Sequence, residues 1–575
     1  MQKAVDVARR RRIEKMEEAI RALKSCSNSL TPISRLPPEI LSKIFAATIE
    51  PGLLTMDWVK VTHVSRHWRT VAIGCPRLWT TLAFARPRWV EEMLKRSKLA
   101  PLVINARQIE YMGSRLDAVQ LAMNHISRVR ELSIISASSS LGKLFSSVPR
   151  AAPILQILVL STSTNHYADS FRDNYSIPLE LFSDDSSQLR RLELTHCNLD
   201  WTSYLLKGLT HLKIHNTAPG TRPSMPLFLD VLDQLPTLTV LDLDDALPHV
   251  ADGSSTVSYQ RNVKLRSLTN LHLAGSDFDC SNALRHLSVS CSATLKLSCQ
   301  STVVFDADFS TILTFVSGLW EPTAIMSSAE KPHRCPIRSL KILGVGSEGL
   351  GLQAWPTVLS SQTLSGDPDP LPSIDLSFRS SSFVPPGIGD LGLIRETCTA
   401  FPLEQLASLA VSRQITEQTL LRTFGKLAHL RFIRVSGLAV YTLLSAMIAE
   451  PSTATSTDVS TNLSTWKHSS NQREMPLAVY FPSLLHLTIE DTNFDYVTLR
   501  HLKDCLMERY ERKAEVRELT LSRCRRLTTK LVDELREIVV DVNWNGWVTG
   551  FSDVSEDDYE YDIDDYRYDL HGDYI

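Results

Sequence analysis

The sequence predicts an α/β protein in three parts: a small helical unit, a curved solenoid of strand-and-helix repeats, and a disordered acidic tail. Two helix-like apolar patterns between residues 36 and 79, opened by prolines and carrying Trp58, Trp68 and Trp79, predict the helical unit. The pattern L-x-x-L-x-L, recurring at intervals such as 20, 29, 30 and 32 residues, predicts the repeats. Residues 553–573 hold ten Asp or Glu against one Arg, which predicts a tail too polar to bury a core.

The 575 residues are 43% apolar and 22% charged, a composition that folds. No run of 18 apolar residues occurs, so no membrane partner is expected. The N-terminus is basic but lacks an apolar stretch, so no secretory signal is read. The ten cysteines are scattered without a C-x-x-C pair. They are expected to be reduced thiols in the cytoplasm, the nucleus or both. In that setting the triplets at Asn174 and Asn462 carry no sugar. The tail carries −9 in a chain of net −3, which leaves +6 for the rest. That is mild for this length and does not argue for nucleic acid.

In chain order, residues 1–30 form an amphipathic helix, strongest over 3–24, with Ile13, Met16, Ile20 and Leu23 at a/d-like spacing. The stretch SCSNSLTPISR (25–35) reads as a linker. Pro37 and Pro38 open the next helix, since a first turn loses nothing when a proline lacks its N–H, and Glu39 complements the helix dipole. Ile40, Leu41, Ile44 and Phe45 make one apolar face of it. Pro51 and Gly52 break the pattern. A second helix is expected to carry Trp58, Val61, Val64, Trp68, Val71 and Ala72 on one side, ending at Gly74 and Pro76. So apolar a unit of about fifty residues cannot bury all of this surface by itself, which points to a partner.

LPPEILSKIF (36–45), VTHVSRHWRTVA (61–72) and CPRLWTTL (75–82) closely resemble the F-box, most of all its fungal branch. The three blocks of that family occur in order, and the domain is placed at 31–85. Ser65 stands where the family often has Cys, and His63 where it often has an aliphatic residue. The resemblance implies binding to a Skp-type adaptor and, through it, to a cullin-RING ubiquitin ligase. Carried over by position, the adaptor contacts are Leu36, Pro37, Ile40, Leu41, Ile44, Phe45, Val64 and Trp68.

Residues 86–545 are predicted to form the solenoid. Its clearest copies are Leu189/Leu192/Leu194, Leu209/Leu212/Ile214, Leu238/Leu241/Leu243 and Leu268/Leu271/Leu273, with more starting at Val129, Leu155, Leu284, Leu430, Leu484 and Val516. The x-L-x-L part is a short strand whose alternate residues enter a core that only stacked repeats can close. LRRLELTHCNL (189–199) and VRELTLSRCRRLT (516–528) resemble the cysteine-type leucine-rich repeat, which implies that Cys197 and Cys524 turn inward after the strand. Residues 299–335 and 350–400 match poorly. A Ser/Thr-rich disordered insertion is expected near 451–475, and the acidic Tyr-rich tail at 546–575.

Catalytic chemistry finds no support in the sequence. GVGSEG (344–349) has dinucleotide-loop spacing after a strand-like SLKIL, but Pro356 interrupts the helix such a loop needs. His196 and Cys197 are strand neighbours and point apart. No run of His, Cys and carboxylates has zinc-ligand spacing, so no metal and no cofactor is expected. The chain reads as a non-enzymatic substrate receptor of a Skp-cullin-F-box ligase. The alternative is a leucine-rich-repeat scaffold that does not drive degradation. The expected substrate face holds the residues between the leucines: Glu193, Lys213, Asp242 and His272.

Overall fold

The computed structural model describes residues 2–48, 57–109, 113–146, 148–162, 174–183, 188–249, 261–301, 309–320, 335–345, 349–359, 370–380, 390–449 and 479–546. The insertion expected at 451–475, the break at Pro51-Gly52 and the tail at 546–575, save Gly546, lie outside them. The fold is mixed α/β, with helices at the N-terminus and parallel strands after them. It divides into two compact units, Met1–Cys335 with Val345–Gln353 and Pro372–Phe401, and Pro336–Gly344 with Ala354–Leu371 and Pro402–Ile575.

The first unit opens with α1 (Gln2–Leu30). The helix takes in the first six residues of the segment expected to be a linker and stops just before Thr31, which is extended because Pro32 follows it. Ile13, Met16, Ile20 and Leu23 stand exposed along it. Helix α2 (Pro38–Ala47) begins with proline in its first turn and Glu39 beside it, as the sequence predicts. The second predicted helix is broken in two: a 3-10 segment, Asp57–His63, and α3 (Arg66–Gly74). Ser65 causes the break. Its backbone is extended and its hydroxyl accepts the Trp68 N–H at 3.1 Å, so it caps a new helix in place of continuing an old one. Helix α4 (Pro87–Ser97) follows.

Nine parallel strands then lie side by side in the order Leu102–Arg107, Val129–Ser136, Ile157–Thr162, Arg191–Thr195, His211–His215, Val240–Asp244, Asn270–Ser276, Thr294–Ser301 and Ile374–Ser380. All eight steps run forward along the chain. The last skips from 301 to 374, which is where the leucine pattern fades. The second unit repeats the arrangement with Ser339–Val345, Ser408–Val411, Phe432–Ser436, His486–Glu490, Glu518–Ser522 and Asp541–Trp544. Parallel neighbours need a crossover, supplied here by helices such as Gly113–Met123, Met225–Asp233 and Tyr496–Glu511.

Burial alternates along the strands, so the leucines of x-L-x-L enter the helix-covered side and the residues between them stay half-exposed on the other. Two features that the leucines do not announce bind the copies together. Thr210, Thr239, Thr269 and Thr294 each donate a hydroxyl to the carbonyl of the preceding copy, at 3.0, 2.9, 3.0 and 3.2 Å. After the strands, Gln108, His196, Asn216, Asp245, Asp491 and Arg523 adopt φ near +50°, each followed by a buried residue: Ile109, Cys197, Thr217, Ala246, Thr492 or Cys524. This left-handed residue turns the chain off the sheet edge while its N–H stays in the ladder, as with Asn216 N–H to the Asp244 carbonyl at 2.8 Å.

One copy is displaced from its expected place. Leu284 ends the helix Asp277–Leu284, and Leu287–Val289 pairs with Val263–Leu265 in a separate two-stranded sheet. The strand that joins the main sheet is Thr294–Ser301, whose Leu295 and Leu297 supply the inward pair. Residues 350–400 hold the strand Ile374–Ser380 and the helix Asp390–Thr399 despite their poor match.

Candidate functional site

The helical unit has a core and an uncovered face. Leu41 and Phe45 are buried, and Phe45 packs on Trp68 with ring centroids 5.0 Å apart. Trp58 meets Trp79 edge-on at 4.9 Å, and the Trp79 Nε1–H donates to the Ala72 carbonyl at 2.9 Å. The Arg96 guanidinium lies 4.3 Å over the Trp79 ring.

The eight apolar residues singled out from the sequence therefore separate. Leu41 and Phe45 belong to the interior, Leu36 and Trp68 are half-buried, and Pro37 is exposed. Ile40, Ile44 and Val64 are exposed by 41%, 38% and 53%. Successive helix positions are about 100° apart, so the 40/44 stripe turns outward where the 41/45 stripe turns in. His63 is exposed at the end of the 3-10 segment, away from any packing role.

This unit is tied firmly to the first strand. The Leu82 N–H bonds the Val103 carbonyl at 3.2 Å and the Val103 N–H the Thr80 carbonyl at 3.0 Å. Arg128 closes the end of α4, reaching Ser97 Oγ at 3.0 Å and the Ala100 carbonyl at 3.2 Å. A cation at a helix C-terminus is favourably placed against the dipole.

On the half-exposed side of the sheet, Glu193, Lys213, Asp242 and His272 occupy one register row across four adjacent strands. Lys213 Nζ lies 3.3 Å from Asp242 Oδ2. Asp242 Oδ1 takes two further partners, His215 Nε2 at 2.7 Å and His272 Nδ1 at 2.6 Å. His215 comes from the same strand as Lys213, two residues on and on the same face. Burial pushes the Asp242 carboxyl up, but the bonds from His215 and His272 outweigh it and hold it far below the usual carboxylate range. His215, Asp242 and His272 form a group whose donor atoms lie within 4.8 Å of one another. Ligand spacing along the chain gave no sign of it, because the residues are 27 and 30 positions apart and only the strand register brings them together.

The other features flagged in the sequence resolve differently. Cys197 and Cys524 are fully buried, their Sγ atoms 3.7 Å and 3.5 Å from the carbonyls of Leu160 and Ile489. Burial pushes the two thiols up to about 12 and about 11. Such thiols stay protonated and are poor nucleophiles. His196 occupies the left-handed turn beside Cys197; burial and the neighbouring His215 lower its pKa. After Gly344 comes the strand Gly349–Trp355, not the helix that a pyrophosphate loop requires, while residues 346–348 lie outside the described residues. Among the described residues, no helix is long and apolar enough to cross a membrane.

Compared with known families, residues 33–85 match the F-box-like family. No curated protein matches the chain. The match covers α2, α3 and the closing Leu78-Trp79 block, and F-box domains generally bind Skp-type adaptors.

Proposed function

We propose that the chain is a non-catalytic substrate receptor of a Skp-cullin-F-box ubiquitin ligase. The observation that carries this reading is the F-box-like match at 33–85 on a helical unit that leaves Pro37, Ile40, Ile44 and Val64 exposed. In this reading those four, edged by Leu36 and Trp68, meet the adaptor, while Leu41 and Phe45 hold α2 in place beneath them. The parallel strands behave as a leucine-rich-repeat-type solenoid of the kind found in fungal F-box proteins, and the row Glu193, Lys213, Asp242 and His272 belongs to the substrate face. The chain contributes proximity, raising the local concentration of substrate at a ligase whose chemistry belongs to other subunits. The backbone bonds between residues 80–82 and Val103 support a fixed geometry between adaptor and first repeat. The compartment that fits is the cytoplasm or nucleus, where the ligase and reduced thiols are found.

The test is co-purification of the full chain with a Skp-type adaptor and cullin, followed by the half-lives of co-purifying proteins with the cullin inhibited. Adaptor capture together with cullin-dependent turnover supports the receptor reading. Capture without any change in turnover supports the scaffold reading, and no capture by folded protein removes the ligase-subunit reading and leaves a scaffold that does not use the adaptor.

A further inference from the structure

The described residues contain one grouping of three metal-competent side chains, and it stands apart from the helical unit: His215, Asp242 and His272. Three adjacent strands supply one ligand each. Sheet neighbours lie about 4.8 Å apart, so side chains on one face meet without any loop having to order. The side chains are 16%, 18% and 20% exposed, which is buried enough to be held and open enough to be reached from solvent. One carboxylate oxygen accepts from both imidazoles, at 2.7 and 2.6 Å. The ring nitrogens facing it, His215 Nε2 and His272 Nδ1, therefore carry protons. An ion at their common centre replaces those two bonds. Each ring moves its proton to its far nitrogen, and two lone pairs and one carboxylate oxygen point inward.

The geometry points to a binding site for a single divalent transition-metal ion of the zinc class, held by His215, Asp242 and His272 with a fourth position open to solvent. The donor chemistry fits that class, because imidazole with carboxylate suits zinc and its neighbours, whereas calcium and magnesium want oxygen alone. The donor separations need only small side-chain rotations. Ligands about 2.0–2.2 Å from a tetrahedral ion lie roughly 3.4 Å from one another, between the hydrogen-bonded 2.6 Å and the 4.8 Å limit of the present group. Lys213, 3.3 Å from the other carboxylate oxygen, supplies the positive charge that balances Asp242 when no ion is bound. It is the natural competitor. This site stands independently of the adaptor-binding reading.

The experiment titrates metal-stripped full-length protein with Co(II) near neutral pH and then displaces it with Zn(II). The expected result is one equivalent of Co(II) giving the intense visible absorption of four-coordinate cobalt, lost on adding Zn(II). His215→Ala and His272→Ala, confirmed folded by far-UV circular dichroism, lose the band. Lys213→Met leaves all three ligands in place and removes the competing charge, so it binds roughly tenfold more tightly. Absence of the band at about 100-fold the protein concentration, or a band that survives His272→Ala, overturns the proposal. Should the alanine variants not fold, Lys213→Met decides: unchanged or weaker affinity counts against the site.

Discussion

Replacing Ile40, Ile44 and Val64 together with serine is expected to weaken adaptor binding without unfolding the helical unit. The three are exposed by 41%, 38% and 53% in the free chain, so a partner can still bury that share of each. Full burial of such a side chain is worth about 1.5–3 kcal/mol; scaled by those exposures, the three sum to about 2–4 kcal/mol. At about 1.4 kcal/mol per factor of ten, the dissociation constant should rise roughly 30- to 700-fold. Titration calorimetry of purified variant against a Skp-type adaptor measures it, with circular dichroism as the fold control. Leu41→Ala and Phe45→Ala provide the contrast. Both sites are buried, at 0% and 1%, and truncation should destabilise the helical unit by about 2–5 kcal/mol through lost packing. A folded triple-serine variant that binds within twofold of wild type would sink the division into an outward 40/44/64 face and an inward 41/45 core.

Other outcomes can be checked in the same protein. Cys26 and Cys335 are exposed, whereas Cys197, Cys398 and Cys505 are buried with thiols near 12. Iodoacetamide near pH 8 should label the first two and spare the other three until denaturant is added, as read by mass spectrometry. Arg509 is buried and donates to the Tyr480 and Phe481 carbonyls at 2.9 and 2.8 Å, so Arg509→Met should destabilise the second unit by about 2–4 kcal/mol in urea unfolding. Asp495 caps the helix Tyr496–Glu511 through the Thr498 N–H at 2.7 Å, and Asp495→Ala should cost about 1 kcal/mol. The Thr498 hydroxyl and N–H bonds lower the Asp495 pKa, so this contribution is whole above the ordinary carboxylate range. It fades as pH falls through the lowered value, and the gap between wild type and variant should narrow in acid.

Much of this architecture could be read from local pattern. Proline in the first turn of α2 and x-L-x-L alternation act over a few residues, through donor loss in a first turn and the two-residue period of a strand, and the sequence carries both plainly. The inward turn of Cys197 and Cys524 is expected only from the resemblance to the cysteine-type repeat, and both are buried. Where the pattern misled, a stronger local or tertiary term decided. Ser65 split one apolar stripe into two helices by capping the second. Leu284 kept the leucine spacing but ended a helix, and Thr294–Ser301 took the sheet position because its neighbours' ladder extended to it.

The division of α2 into a buried and an exposed stripe depended on where α3 and the tryptophans pack, which no spacing along α2 encodes. The His215–Asp242–His272 group was invisible for the same reason. Its members come from three neighbouring strands, and each strand alone shows only an unremarkable polar residue beside an apolar one. The sequence by itself determined that strands form and which side of each faces the core, because those preferences are local and periodic. Only the tertiary structure decided which outward residues become neighbours, since parallel register sets two side chains side by side however many residues separate them in the chain.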